Sequence, residues 1–101
     1  MNNMQIHKLE HSFDGKGEMK GYRFECVGER PSGYLYKVSG ENGDKHYEVF
    51  VKKSVPVCLD FENRVYSETE FKETYPKSKD FGVWAWNVQT YKRGMVILET
   101  L

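Results

Sequence analysis

The chain has 101 residues, of which 39% are hydrophobic, 30% charged and 15% aromatic, and its 15 basic and 15 acidic residues cancel to a formal charge of +0. A chain of this length holds one core rather than two. Its ring content excludes a disordered polymer, and its charge balance leaves no basic arm to draw in nucleic acid or anionic lipid.

The start, MNNMQIHKLEH, has no apolar stretch of signal-peptide length and no glycine for myristoylation. The longest apolar run, VPVCL, is too short to cross a bilayer. Without a secretory signal, Cys26 and Cys58 read as free thiols in a reducing compartment. These features predict a soluble cytoplasmic protein with no membrane partner, folded as a single domain over residues 1–101.

Residues 4–10 begin with alternating apolar and polar side chains and predict a strand. The three glycines of 12–21 predict a loop. In YRFECV, Tyr22, Phe24 and Cys26 alternate with Arg23 and Glu25, the mark of a half-buried strand. A turn on Pro31 and Gly33 leads to YLYKVS, and GENGDK leads to HYEVFVKK. Asn42-Gly43 suits a two-residue type I′ turn. Centred there, the turn sets Val38 opposite Tyr47, Tyr36 opposite Val49, Tyr34 opposite Val51, Lys37 opposite Glu48 and Leu35 opposite Phe50. VCLDF predicts a short strand, which Pro56 places at a sheet edge. Ser67 and Glu70 form a capping-box pattern with Tyr66 and Phe71 at the staple positions, predicting a short helix near 68–74 that Pro76 stops. VWAWNV predicts a strand. The tail predicts a helix capped by Thr90, with Tyr91, Met95, Leu98 and Leu101 in one stripe. The expected architecture is α+β: an antiparallel sheet of four to five strands around the Asn42-Gly43 hairpin, covered on one face by the C-terminal helix.

No catalytic constellation emerges. Gly15, Gly17 and Gly21 miss the dinucleotide spacing by one position, and Tyr34 stands where a phosphate loop needs lysine. His7, His11 and His46 lack the partners of a metal site. Cys26 falls on an apolar strand face, and Cys58 lies in an apolar run where burial is expected. A thiolate pair of Cys58 with His46, and hence a small cysteine enzyme, is a minor reading. The acidic residues of 60–73 fit no known carboxylate loop. No cofactor and no metal are expected.

Two binding readings remain. The first is a non-catalytic interaction module that engages a protein partner or a second copy of itself through a sheet face. Its candidate surface is Leu35, Phe50, Tyr75, Lys77, Lys79, Phe81 and Val83, and exposed apolar patches of this kind mark interfaces. The second is a single-stranded nucleic-acid binder, stacking bases on Trp84 or Trp86 beside Lys77, Lys79, Lys92 and Arg93. A strand through 83–88 puts Trp84 and Trp86 on one face, under the helix, and Phe81, Val83 and Ala85 on the other.

Overall fold

A computed structural model describes residues 4–101. Nine elements of regular structure, eight strands and one α-helix, account for most of them. The strands are β1 (Gln5–His7), β2 (Ser12–Asp14), β3 (Tyr22–Arg30), β4 (Gly33–Gly40), β5 (Lys45–Val51), β6 (Ser54–Asp60), β7 (Val65–Glu73) and β8 (Ala85–Val88), and the helix is α1 (Tyr91–Thr100). The chain divides into two compact units. One takes in the residues up to Leu9 with Lys53–Tyr75, and the other takes in Glu10–Lys52 with Pro76–Leu101.

The larger unit is an antiparallel five-stranded sheet, ordered β2-β3-β4-β5-β8, with α1 packed on it. This is the expected α+β arrangement. Thr90 caps the helix as its sequence predicts, its hydroxyl accepting the Arg93 N–H at 3.1 Å. Leu98 is buried against Leu35 and Val49, with Met95, Leu101 and Trp86 packed around them. The helix approaches closely because glycine faces it. A methyl group built on Gly94 would lie 2.5 Å from Leu35 Cδ1, and one on Gly33 would lie 2.7 Å from Leu101 Cδ1.

The other face of this sheet carries a run of rings. Phe13 stacks on Phe24 at 4.9 Å, and Tyr36 lies 5.7 Å from Phe50 and 5.8 Å from Tyr34. Tyr34, Tyr36 and Phe50 are completely buried. The Tyr36 hydroxyl donates to the Glu10 carbonyl at 2.7 Å, so the buried phenol is satisfied.

The central hairpin forms where predicted but one residue out of register. Leu35 pairs with Val49, Tyr36 with Glu48, Lys37 with Tyr47 and Val38 with His46. The cause is the turn. Asn42 keeps a negative φ and only Gly43 is left-handed, at φ 87°. The Gly43 N–H reaches the Gly40 carbonyl and the Gly40 N–H reaches the Asp44 carbonyl, which closes a three-residue loop. Asn42 spends its amide on the Asp44 carboxylate at 2.9 Å instead of adopting the left-handed region. One consequence is that Glu48 leaves Lys37 and joins the ring face. There it is buried and hydrogen-bonded to His46 at 2.7 Å.

The smaller unit is a three-stranded sheet, ordered β1-β7-β6, with β1 parallel and β6 antiparallel to β7. It overturns the short helix expected near 68–74, because Val65–Glu73 is a strand. The capping chemistry is nevertheless present. The Ser67 hydroxyl accepts the N–H groups of Thr69 at 3.1 Å and Glu70 at 2.8 Å. It serves a bulge: between the pairs Cys58–Tyr66 and Pro56–Phe71, β7 advances five residues while β6 advances two. A capped turn does not propagate unless an apolar helical stripe follows to offset nucleation, and VYSETEFKE has none. The loop expected over 12–21 is also partly ordered, holding β2 and a 3-10 turn at Gly17–Met19.

Among the described residues no helix is long and apolar enough to cross a membrane.

Candidate interaction surface

The residues expected to form a surface separate. Leu35 and Phe50 are completely buried. The register shift puts Leu35 under α1 beside Val49, while Phe50 faces the opposite way into the rings. Neither can contribute a contact surface. Tyr75 is half-buried at the end of the smaller unit. Lys77, Lys79, Phe81 and Val83 lie on an ordered loop of the larger unit. The Asp80 carboxylate accepts the Lys77 N–H at 2.8 Å and the Asp80 carbonyl accepts the N–H groups of Val83 and Trp84, both at 3.1 Å. Lys77, Lys79 and Val83 are exposed, and Phe81 is half-buried.

The same loop separates the two tryptophans. The strand starts only at Ala85, so alternation does not reach back to Trp84. Trp86 pairs with Val49 and packs in the helix-side core, whereas Trp84 meets Phe50 edge-on at 6.3 Å on the ring side. The expectation of one shared face is therefore corrected, and Ala85 is completely buried rather than part of an outer surface. Both indoles are half-buried and hold packing positions.

The polar candidates also resolve. His46 is engaged with Glu48. His7 lies 4.0 Å from Glu70, and His11 lies 3.6 Å from Glu29. Among the described residues no three His, Cys, Asp or Glu side chains gather into a metal-binding group. Cys58, expected to be buried, is exposed on the edge strand β6. Cys26 is half-buried, with its thiol donating to the Gly28 carbonyl at 3.5 Å. Burial pushes the Cys26 thiol above its ordinary value. In the native protein one thiol equivalent, Cys58, will titrate promptly with a disulfide reagent. Cys26 will lag by at least about tenfold until the chain is unfolded, and equal rates for the two would contradict this placement.

The apolar surface lies elsewhere. Seven of the ten large exposed hydrophobic side chains among the described residues are in the smaller unit: Met4, Ile6, Val55, Leu59, Phe61, Val65 and Tyr66. Among the described residues, none of the buried hydrophobic side chains is in that unit. Phe61 stands out at 86% exposure, on the turn between β6 and β7. The turn is held from below by Asp60. Its carboxylate accepts the Asn63 amide at 2.7 Å and the backbone N–H groups of Glu62 at 3.1 Å and Asn63 at 3.3 Å. These bonds, the Asn63 amide first, hold the Asp60 carboxyl below its ordinary range. Arg64 closes the turn in the left-handed region at φ 53°, and its N–H reaches the Phe61 carbonyl at 3.3 Å. Nothing in LDFENRV alternates, so periodicity misses this feature. The Asp60-to-Asn63 spacing, an aspartate able to cap its own turn, is the signal that could have found it.

In the larger unit an open groove of about 530 Å³ lies over Tyr22. Its hollow depends on glycine, since Gly15, Gly21 and Gly40 all line it. Lys20, Arg23, Asp14 and Glu41 supply charge of both signs around it. Arg23 donates to Asp14 at 3.0 Å and to the Ser12 hydroxyl.

Comparison with protein families, with curated proteins and with solved structures finds no match to the chain.

Proposed function

We propose that the chain is a non-catalytic interaction module, acting in the cytoplasm, that associates with a second copy of itself through the three-stranded sheet and its β6–β7 turn. The observation that carries this reading is the concentration of exposed apolar side chains on that unit, led by Phe61, with no buried hydrophobic residue among its described residues. Exposed aromatic and aliphatic side chains concentrated in one part of a chain mark an interface. Aromatic side chains on ordered backbone make the strongest contributions to such contacts.

Two features favour a second copy as the occupant. The charges of the unit nearly balance, Lys8, Lys53, Arg64 and Lys72 against Asp60, Glu62, Glu68, Glu70 and Glu73, so like surfaces do not repel. Strand addition along β6 is blocked by Pro56 and by two register shifts. Contact along β6 therefore runs through side chains rather than backbone. The two free thiols suit a reducing compartment.

Light scattering on a sizing column, from micromolar to millimolar protein, tests the reading. The mass rises with concentration for the native chain. Phe61→Ala weakens the association by about 30-fold, the equivalent of about 2 kcal/mol for a central aromatic contact. Removing so exposed a side chain leaves the fold intact. A strict monomer across the whole range sinks the proposal.

A further inference from the structure

We infer that Asn42 is a self-modifying site: the Gly43 nitrogen displaces its side-chain amide, and the bond from that amide to Asp44 holds the reaction back in the folded chain. Asn42 is the one asparagine of the sequence that glycine follows. Attack needs the next backbone nitrogen to reach Cγ, and glycine, with no Cβ, leaves that approach unobstructed. The fold keeps it so. Asn42, Gly43 and Asp44 are all exposed on the hairpin tip, and a methyl group built on Gly43 would meet nothing within 4 Å. Nucleophile and electrophile are neighbours in one chain, so no translational freedom is lost in bringing them together. No ligand and no second copy takes part, which makes this inference independent of self-association.

The step needs only water. A solvent base takes the Gly43 N–H proton and the nitrogen bonds to Asn42 Cγ. The Cγ–Nδ2 bond breaks, and the leaving nitrogen departs as ammonia after taking a proton from solvent. Water then opens the cyclic imide. Opening at Cγ gives aspartate, and opening at the main-chain carbonyl gives isoaspartate, whose backbone runs through the side chain. Either product carries a carboxylate where the amide stood.

Two restraints oppose it. The Asn42 amide donates to the Asp44 carboxylate at 2.9 Å, and the Asp44 N–H approaches Asn42 Oδ1 at 3.4 Å, so both ends of the amide are turned toward Asp44. The Gly43 N–H is engaged with the Gly40 carbonyl at 3.2 Å. The bond to Asp44 is the stronger restraint, because its acceptor is charged. The reaction ends that bond for good, since a carboxylate cannot donate to Asp44 and like charge then faces like charge.

Peptide mapping by mass spectrometry, during incubation of the folded chain at neutral pH, follows each asparagine separately. Asn63 and Asn87 are the internal references, because Arg64 and Val88 crowd the attacking nitrogen and the Asn63 amide is held by Asp60 at 2.7 Å. Asn42 converts at least about tenfold faster than either, a barrier difference of at least about 1.4 kcal/mol, and it yields both aspartate and isoaspartate. Asp44→Ala, at an exposed position, speeds the conversion by at least about threefold through loss of one hydrogen bond. Asp44→Asn, whose side-chain oxygen still accepts the Asn42 amide, stays within about twofold of the native rate. Conversion at Asn42 no faster than at Asn63 and Asn87 overturns the site. A rate unchanged or lowered by Asp44→Ala overturns the restraint by Asp44. Equal acceleration in Asp44→Ala and Asp44→Asn overturns it as well, since a loosened hairpin rather than a lost bond would then set the rate.

Discussion

Phe50→Ala lowers the stability of the folded chain by about 3–5 kcal/mol, the cost of emptying a large aromatic site. Phe50 is completely buried and central to the ring face, 5.7 Å from Tyr36, 5.8 Å from Tyr34 and 6.3 Å from Trp84. Those neighbours lie on β4 and on the segment leading into β8, so the void is walled by two stretches of backbone besides β5 itself and cannot close by shifting one of them. A domain of this size has about 5–15 kcal/mol in total, so the variant retains a cooperative transition only if the native protein lies toward the upper end. Urea titration followed by tryptophan fluorescence measures the loss, with Trp84 as a direct reporter of the site. Phe50→Leu, which refills part of the volume, loses less. A loss below 1 kcal/mol for Phe50→Ala would show that the ring face is not the core described here.

Gly94→Ala sets two effects of opposite sign against each other. Alanine in place of glycine inside a helix is worth about 1 kcal/mol in its favour. The added methyl, however, would lie 2.5 Å from Leu35 Cδ1 and 3.1 Å from Cδ2. Leu35 cannot yield, because it is completely buried between Val49 and Leu98. Overpacking at such a site costs about 1–3 kcal/mol, and the methyl clash exceeds the propensity gain because the helix must lift along its whole contact to relieve it. The net expectation is a destabilisation of about 1–2 kcal/mol by urea midpoint. Lys92→Ala on the exposed side of the same helix changes stability by less than about 0.5 kcal/mol. A Gly94→Ala variant more stable than the native chain would mean that α1 does not seat against Leu35 as closely as described.

The contrast between local and distant information explains what could be read from the residues alone. Thr90 signals its helix correctly because a cap acts over three residues and an apolar stripe follows it. Ser67 sends the same local signal, and its hydroxyl makes the same bonds, yet β7 runs through it because pairing with β6 and β1 decides the element. Asn42-Gly43 locates the hairpin but not its register, since the choice between a two- and a three-residue loop turns on the φ of one asparagine. Leu35 and Phe50 looked available as a surface only in the register that the turn rejects. Phe61 was invisible to periodicity because its exposure comes from a capped turn rather than from a pattern. Trp84 and Trp86 divide between two faces because the strand begins one residue after Trp84.

The extra residue in the Gly40–Asp44 loop has a consequence beyond local geometry. Hairpin tips are ordinarily where a chain tolerates a gain or loss of length. Here the loss of one of residues 41–43 would leave Gly40 opposite Asp44, Ser39 opposite Lys45 and every pair beyond them unchanged. The sensitive variable is the conformation of Asn42 at constant length. A two-residue turn on Asn42-Gly43 would return Lys37 to Glu48 and carry Phe50 across to the helix side, exchanging the two faces of β5 at once. For this chain the backbone angle of one surface asparagine is a parameter of its interior.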